Sequence, residues 1–163
     1  MTWYDILKSL RDYLVALPTM AGEGVTLLRP ARHIEGGALS PDDMDLSADG
    51  DGLTGAIFLI RDREPEEKIH HGGEGVVVFF VENWVRCDDP DPIDGYKMLS
   101  DQENAFRAAL NAWFYSQQAD ETNDVNADLM NLEIDDVIGD ADSRRPILGS
   151  RTTIRITWSK RTI

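Results

Sequence analysis

Hydrophobic residues recur at spacings of three and four near the start of the chain, and this pattern predicts an amphipathic helix that ends before Pro18. Thr2 and Asp5 resemble a capping box at its beginning. An apolar stripe of this width is typical of a helix that covers a core. Its apolar members are Trp3, Ile6, Leu7, Leu10, Tyr13, Leu14 and Leu17.

A second helix is predicted from Ser100 to about Gln118. Ser100 and Glu103 form a Ser-x-x-Glu capping box at its start. The preceding segment, Asp88–Gly95, has two prolines among its aspartates, so we expect a loop whose carboxylates accept hydrogen bonds from backbone amides. The apolar face of the helix holds Phe106, Ala109, Leu110, Trp113 and Phe114.

Short apolar or alternating segments predict about five β-strands. Gly75–Cys87 is the strongest of them because it is rich in β-branched and aromatic residues, and it should lie at the centre of the sheet in a hairpin with Ala56–Arg61. A short strand is expected at Val25–Leu28. The last two strands should bury Met130, Leu132 and Ile134, and Ile154, Ile156 and Trp158, around a loop that holds Arg144, Arg145, Pro146 and Gly149.

The element order αβββαββ lacks regular βαβ alternation. We therefore expect a single α+β domain over residues 1–163, with a mostly antiparallel sheet and both helices on one face. A chain of 163 residues that is 42% hydrophobic can form one packed core. At about residues 32–55 it is rich in Gly, Asp and Ser without periodic apolar positions, which predicts a long flexible loop.

Charge is distributed unevenly along the chain. The net charge of −14 disfavours a membrane partner and direct sequence-specific nucleic-acid binding, because acidic surfaces repel lipid headgroups and phosphates. The segment from Ser143 to Ile163 has six basic and no acidic residues, so ten basic and thirty acidic side chains, a net of −20, remain elsewhere. Either this segment neutralises its own acidic neighbours, or it contacts another subunit. Its basic residues are Arg144, Arg145, Arg151, Arg155, Lys160 and Arg161.

The sequence carries no motif for nucleophilic, phosphate-binding or dinucleotide chemistry, so we expect no enzyme activity and no cofactor. The aspartates between Asp42 and Asp51 miss the EF-hand calcium template, which requires glutamate where Ala56 stands. Three scattered histidines do not have zinc-ligand spacing. The single cysteine, Cys87, could act as a nucleophile only if His70 or His71 approached it as a base.

Four segments, taken together in chain order, resemble one known family. They are Tyr4-Asp5-Ile6-Leu7 in the first helix, the Val76–Val85 strand, Asp91-Pro92-Ile93-Asp94-Gly95-Tyr96, and the Glu103–Trp113 helix with its Ala-Leu-Asn-Ala-Trp ending. This arrangement is similar to the tail terminator, or tail-completion, proteins of tailed phages and prophages. The resemblance implies an α+β subunit that forms a ring, commonly a hexamer, on the tail tube and joins it to the head-side neck.

The resemblance also implies partners rather than an active site. These are further copies of the chain, the phage tail-tube protein and a head-completion or neck protein, so we expect synthesis in the bacterial cytoplasm and a final location in the virion tail. Candidate subunit contacts are the six basic residues of the final segment, Asp49 and Asp51 in the long loop, and His70 and His71 in the 62–73 link. The long Asp- and Gly-rich loop departs from the family pattern. Alternatives are an acidic inhibitor that mimics nucleic acid, another head–tail connector or tail-tube protein, or a small enzyme.

Overall fold

A computed structural model of the chain describes residues 3–17, 55–61, 74–119, 127–139 and 145–160. In these ranges it contains two α-helices and four β-strands. The predicted strand at Val25–Leu28 and the predicted loop up to residue 54 lie outside them. The helices are α1 (Trp3–Ala16) and α2 (Pro92–Ala119), and the strands are β1 (Gly55–Arg61), β2 (Glu74–Arg86), β3 (Ala127–Gly139) and β4 (Ile147–Lys160).

The strands form one antiparallel sheet in the order β1-β2-β4-β3. The predicted hairpin of β1 with β2 and the central place of β2 are confirmed. The basic strand β4 is central as well, since β2 pairs with one of its edges and β3 with the other. Its backbone is therefore used within the sheet, and only its side chains are available for other contacts.

Both helices cover one face of the sheet, as the sequence predicts, and the fold class is α+β. Alternate residues of β2, namely Val77, Phe79 and Val81, face the helices and are fully buried. The indole N–H of Trp113 in α2 donates a hydrogen bond to Ser9 Oγ in α1 over 3.2 Å, so a polar contact adds to the apolar packing between the helices. The helices contribute Ile6, Leu7, Leu10, Leu14, Phe106, Ala109, Leu110, Trp113 and Phe114 to this core. Each large aliphatic side chain buried in this way contributes about 1.5–3 kcal/mol.

Helix α2 begins at Pro92, not at Ser100, so the predicted loop is shorter than expected. Asp91 acts as the N-cap, because its Oδ1 accepts a hydrogen bond from the N–H of Ile93 at 3.0 Å, and proline is favoured at the first helical position. The N–H of Asp91 in turn donates to Asp89 Oδ1 at 2.9 Å. Carboxylates that accept backbone amides were predicted for this segment, and that prediction is confirmed.

Gly95 lies in the first turns of α2, where the sequence predicted the end of a loop. A Cβ at this position would overlap the side chain of Leu148 in β4 and would lie 3.1 Å from the Cβ of Cys87. Glycine therefore allows α2 to approach the ends of both central strands closely. Leu148, Val85 and Leu99 form a second, smaller apolar cluster at this contact.

The alternation predicted along β3 is interrupted. Leu129, rather than the predicted Met130, faces the core: Leu129 is 2% exposed and Met130 is 53% exposed. The pairing of β3 with β4 shifts register between Leu129 and Asn131 and again between Ile134 and Val137. An extra residue in a strand reverses which side chains point to each face beyond it. The prediction that Met130 is buried is wrong for this reason.

Candidate interaction surface

The described basic residues of β4 lie on the face of the sheet that points away from the helices. Arg151 stands opposite Glu82 of β2, and Arg155 stands opposite Glu133 of β3. Thr152 and Ile154, which alternate with these arginines, are buried on the helix side. Side chains of a strand point alternately to its two faces, so the arginines are placed on the outer face.

Arg151 is held in a compact group of four side chains on this outer face, which we call the Arg151 cluster: Phe80, Glu82, Trp84 and Arg151. The guanidinium donates from Nε and Nη2 to Glu82 Oε1 at 3.0 and 2.5 Å. Its Cζ lies 5.0 Å from the ring centroid of Phe80, within range of a cation–π contact. The other carboxylate oxygen, Glu82 Oε2, accepts the indole N–H of Trp84 at 3.2 Å. Both oxygens of Glu82 are thus used inside the cluster.

Gly149 fixes the position of the Trp84 ring. It belongs to β4 rather than to the predicted loop, and it pairs directly with Trp84 across the sheet. A Cβ on Gly149 would lie 2.6 Å from Trp84 Cδ2 and closer still to other atoms of the six-membered ring. The missing side chain lets the indole lie flat on β4, where it is only 7% exposed.

Arg155 makes a looser ion pair on the same face. Its Nε lies 3.8 Å from Glu133 Oε2, and both side chains are about half exposed, at 43% and 51%. Glu133 Oε1 also accepts a hydrogen bond from Asn131 Nδ2 at 2.8 Å. Arg151 and Arg155 therefore both face carboxylates of their own sheet, which favours internal neutralisation of the basic strand over a subunit contact at these two positions.

Arg145 lies exposed at the turn that precedes β4 and lines an open pocket of about 340 Å³. The N–H of Cys87 donates to the Pro146 carbonyl at 3.0 Å on the pocket wall, and Arg86 pairs with Asp88 beside it at 3.0 Å. The histidines that would have to act as a base toward Cys87 lie outside the described residues. The pocket is lined by Cys87, Asp88, Asp89, Pro90, Arg145, Pro146 and Leu148.

The structure therefore describes three of the predicted contact side chains and does not bring them together: Arg145 lies at the turn before β4, and Arg151 and Arg155 lie within the strand. Lys160 is the last residue of β4. The side chain of Lys160 and the predicted contacts Arg144, Arg161, Asp49, Asp51, His70 and His71 lie outside the described residues.

A buried polar group between α2 and the sheet was missed by the sequence reasoning. Gln102 is fully buried, and its Nε2 donates to Asn83 Oδ1 at 3.3 Å and to the Trp84 carbonyl at 3.4 Å. The hydroxyl of Ser150 donates to the carboxylate of Glu103. Two positions in the sequence could have indicated this contact. Gln102 stands in the apolar stripe of α2, and Asn83 interrupts the apolar strand β2. Such a contact favours the orientation of the helix on the sheet in which the two buried amides meet.

The exposed sides of the helices carry local ion pairs. Lys8 and Asp12 of α1 lie 2.6 Å apart, and Lys97 and Asp101 of α2 lie 2.8 Å apart. Partial burial acts to raise the pKa of Asp12, but hydrogen bonds from Lys8 and Arg11 outweigh it and lower this pKa. The same hydrogen bond to Asp12 raises the pKa of Lys8. Exposed pairs of this kind contribute little to stability.

The largest exposed apolar side chains of the described sheet lie on β3. Met130 is 53% exposed, Val137 41% and Ile138 65%. β3 also carries four acidic residues and no basic one: Asp128, Glu133, Asp135 and Asp136. β3 therefore presents both apolar and acidic side chains at its surface, which makes it a candidate contact surface.

Comparison of the sequence with known protein families and with curated proteins gives no match. Among the described residues, no group of three or more His, Cys, Asp and Glu side chains is placed to hold a metal ion. Neither described helix is long and apolar enough to cross a membrane.

Proposed function

We propose that this chain is a structural subunit of a tailed-phage virion, a tail terminator or tail-completion protein that forms a ring on the tail tube. The proposal is supported by the four segments that resemble this family and by the packing that unites them. Trp113 of the fourth segment contacts Ser9, which follows the first segment in the same helix, and Gln102, which precedes the fourth segment, contacts Asn83 of the second. Gly95 of the Asp-Pro segment packs closely against Cys87 and Leu148.

This mutual packing is the observation that carries the proposal. Segments that resemble a family by chance need not meet in the fold, whereas here the first, second and fourth contribute residues to one apolar core, and Gly95 of the third packs against Leu148 beside it. A ring subunit also requires no active site, because its function is contact with neighbouring chains.

Within this proposal, Arg145 is the candidate subunit contact that we test among the three described arginines of the final segment. It is exposed at a turn outside the sheet. Arg151 lies within the sheet instead, where it pairs with Glu82, whose side chain is 15% exposed.

Analytical sedimentation of the purified chain, alone and with tail-tube protein, tests the proposal. We expect an oligomer of several subunits in at least one of these samples. Replacement Arg145→Glu should weaken assembly, whereas Lys97→Glu, at a side chain that is 64% exposed on α2, serves as the matched control. A chain that stays monomeric in both samples would contradict the ring.

A further inference from the structure

The β3 edge, which we define as residues 131–139, offers both apolar surface and backbone groups. β3 pairs with β4 alone among the described strands. Val137 and Ile138 near its end are 41% and 65% exposed. An unpaired strand edge with exposed apolar side chains is a template for the addition of another strand.

The start of β3 is closed to such addition, and this limits the site to the residues that follow. Gln118 of α2 reaches over the first bulge and donates from Nε2 to the Leu129 carbonyl at 2.7 Å. The second bulge, between Ile134 and Val137, increases the local twist. A twisted, short edge does not stack readily into extended aggregates, so it can stay exposed in a soluble chain.

Charge selects the partner. Residues 131–139 include three acidic residues, Glu133, Asp135 and Asp136, and no basic one. Pairing of two β3 edges would place carboxylates opposite carboxylates, which is destabilising, so a second copy of this edge is disfavoured. A strand with lysine or arginine beside apolar residues fits instead. The opposite edge of β3, which pairs with β4, already has a basic neighbour. Arg155 of β4 lies 3.8 Å from Glu133.

We propose that the β3 edge is a docking site for an extended, basic segment of another protein chain, which adds to the sheet beside β3. Backbone hydrogen bonds supply the affinity, and the carboxylates together with Val137 and Ile138 select alternating basic and apolar residues. The inference does not rest on the proposed ring, because strand addition needs only the sheet of a single subunit.

Three capped ten-residue peptides, used with the full chain, separate strand addition from general attraction to an acidic protein. An alternating lysine–valine peptide should bind at least roughly tenfold more tightly than an alternating lysine–proline peptide of the same charge, because proline cannot donate ladder hydrogen bonds. An alternating glutamate–valine peptide should not bind. Fluorescence anisotropy at low salt measures all three. Equal binding of the two lysine peptides would overturn the proposal.

Two matched variants locate the site. Ile138→Lys should remove the preference for the lysine–valine peptide, because it places a positive charge on the edge. Ile93→Lys should not, since Ile93 is exposed to nearly the same extent, 63%, but lies on α2. Hydrogen exchange of the unaltered chain should show that this peptide protects amides of residues 131–139. Protection elsewhere alone, or identical behaviour of the two variants, contradicts the assignment.

Discussion

The two outer strands of the described sheet, β1 and β3, differ in almost every physical respect. In β1, Ile57, Phe58 and Leu59 are each at most 1% exposed, although consecutive residues point to opposite faces. In β3, Val137 and Ile138 are both largely exposed. An outer position in the strand order therefore does not determine exposure. A nearly continuous apolar run such as GAIFLIR is typical of a strand that is buried on both faces of the sheet. The acidic sequence of β3 is typical of a strand with at least one face exposed to water.

The outer face of the sheet shows the same gradient from β1 to β3. Phe58 and Val78 point away from the helices and are 1% and 9% exposed. Across β4 this face becomes polar, with Arg155 and Glu133 about half exposed. The β1 side therefore acts as a second part of the core, and the β3 side acts as surface. Three pairs of substitutions test this difference.

The largest effect is expected for a matched pair of isoleucines. Ile57→Ala in β1 should lower the free energy of unfolding by about 2–5 kcal/mol, since it leaves a cavity under both helices. Ile138→Ala in β3 should change it by about 0.5 kcal/mol or less, because Ile138 is 65% exposed. Urea unfolding followed by tryptophan fluorescence measures both values. Similar losses in the two variants would show that β3 is covered in solution.

A smaller effect is expected for a matched pair of glycines. Gly149→Ala in β4 should cost about 1–3 kcal/mol, because the new methyl group overlaps the buried ring of Trp84. Gly139→Ala in β3 meets nothing within 4 Å. It should be neutral or stabilise the chain by up to about 1 kcal/mol through the unfolded state. Thermal unfolding measures the change in stability of both variants. A lower unfolding temperature of Gly139→Ala would contradict the open space beside β3.

Much of this fold could be predicted because its elements have strong local patterns. The stripe of α1, the apolar face of α2 and the β-branched run of β2 each specify their element without help from distant residues. The start of α2 was predicted wrongly because two local signals compete. The Ser100–Glu103 capping box was a valid helix start, but Asp91 and Pro92 form another one earlier in the chain.

The contact surface was harder to predict than the fold. The bulges of β3 are irregularities in its pairing with β4, and this pairing leaves no short-range pattern in the sequence. The charge difference between β3 and β4 was visible in the sequence. Neutralisation of the basic strand by acidic neighbours was one of two alternatives, but the pairing of Arg151 with Glu82 and of Arg155 with Glu133 could not be inferred, since it depends on the register of the sheet.

The smallest effect is expected for the two ion pairs of the outer face. One joins β4 to β2 and the other joins β4 to β3, so they allow the two sides of β4 to be compared. In double-mutant cycles with alanine, Glu82 and Arg151 should couple by about 0.5–1 kcal/mol, because the contact has two hydrogen bonds and Glu82 is 15% exposed. Glu133 and Arg155, 3.8 Å apart and about half exposed, should couple by about 0.2 kcal/mol or less.

Salt gives an independent check on the same comparison. Partial burial shields the Glu82–Arg151 pair from mobile ions, so most of its coupling should persist when sodium chloride is raised from roughly 0.05 to 0.5 M, whereas the exposed pair should lose what little coupling it has. If the Glu133–Arg155 pair couples more strongly or resists salt better, the β3 side of the sheet is less exposed to solvent than Ile138 indicates. That outcome would also weaken the case for strand addition at β3, since a covered strand has no edge to offer.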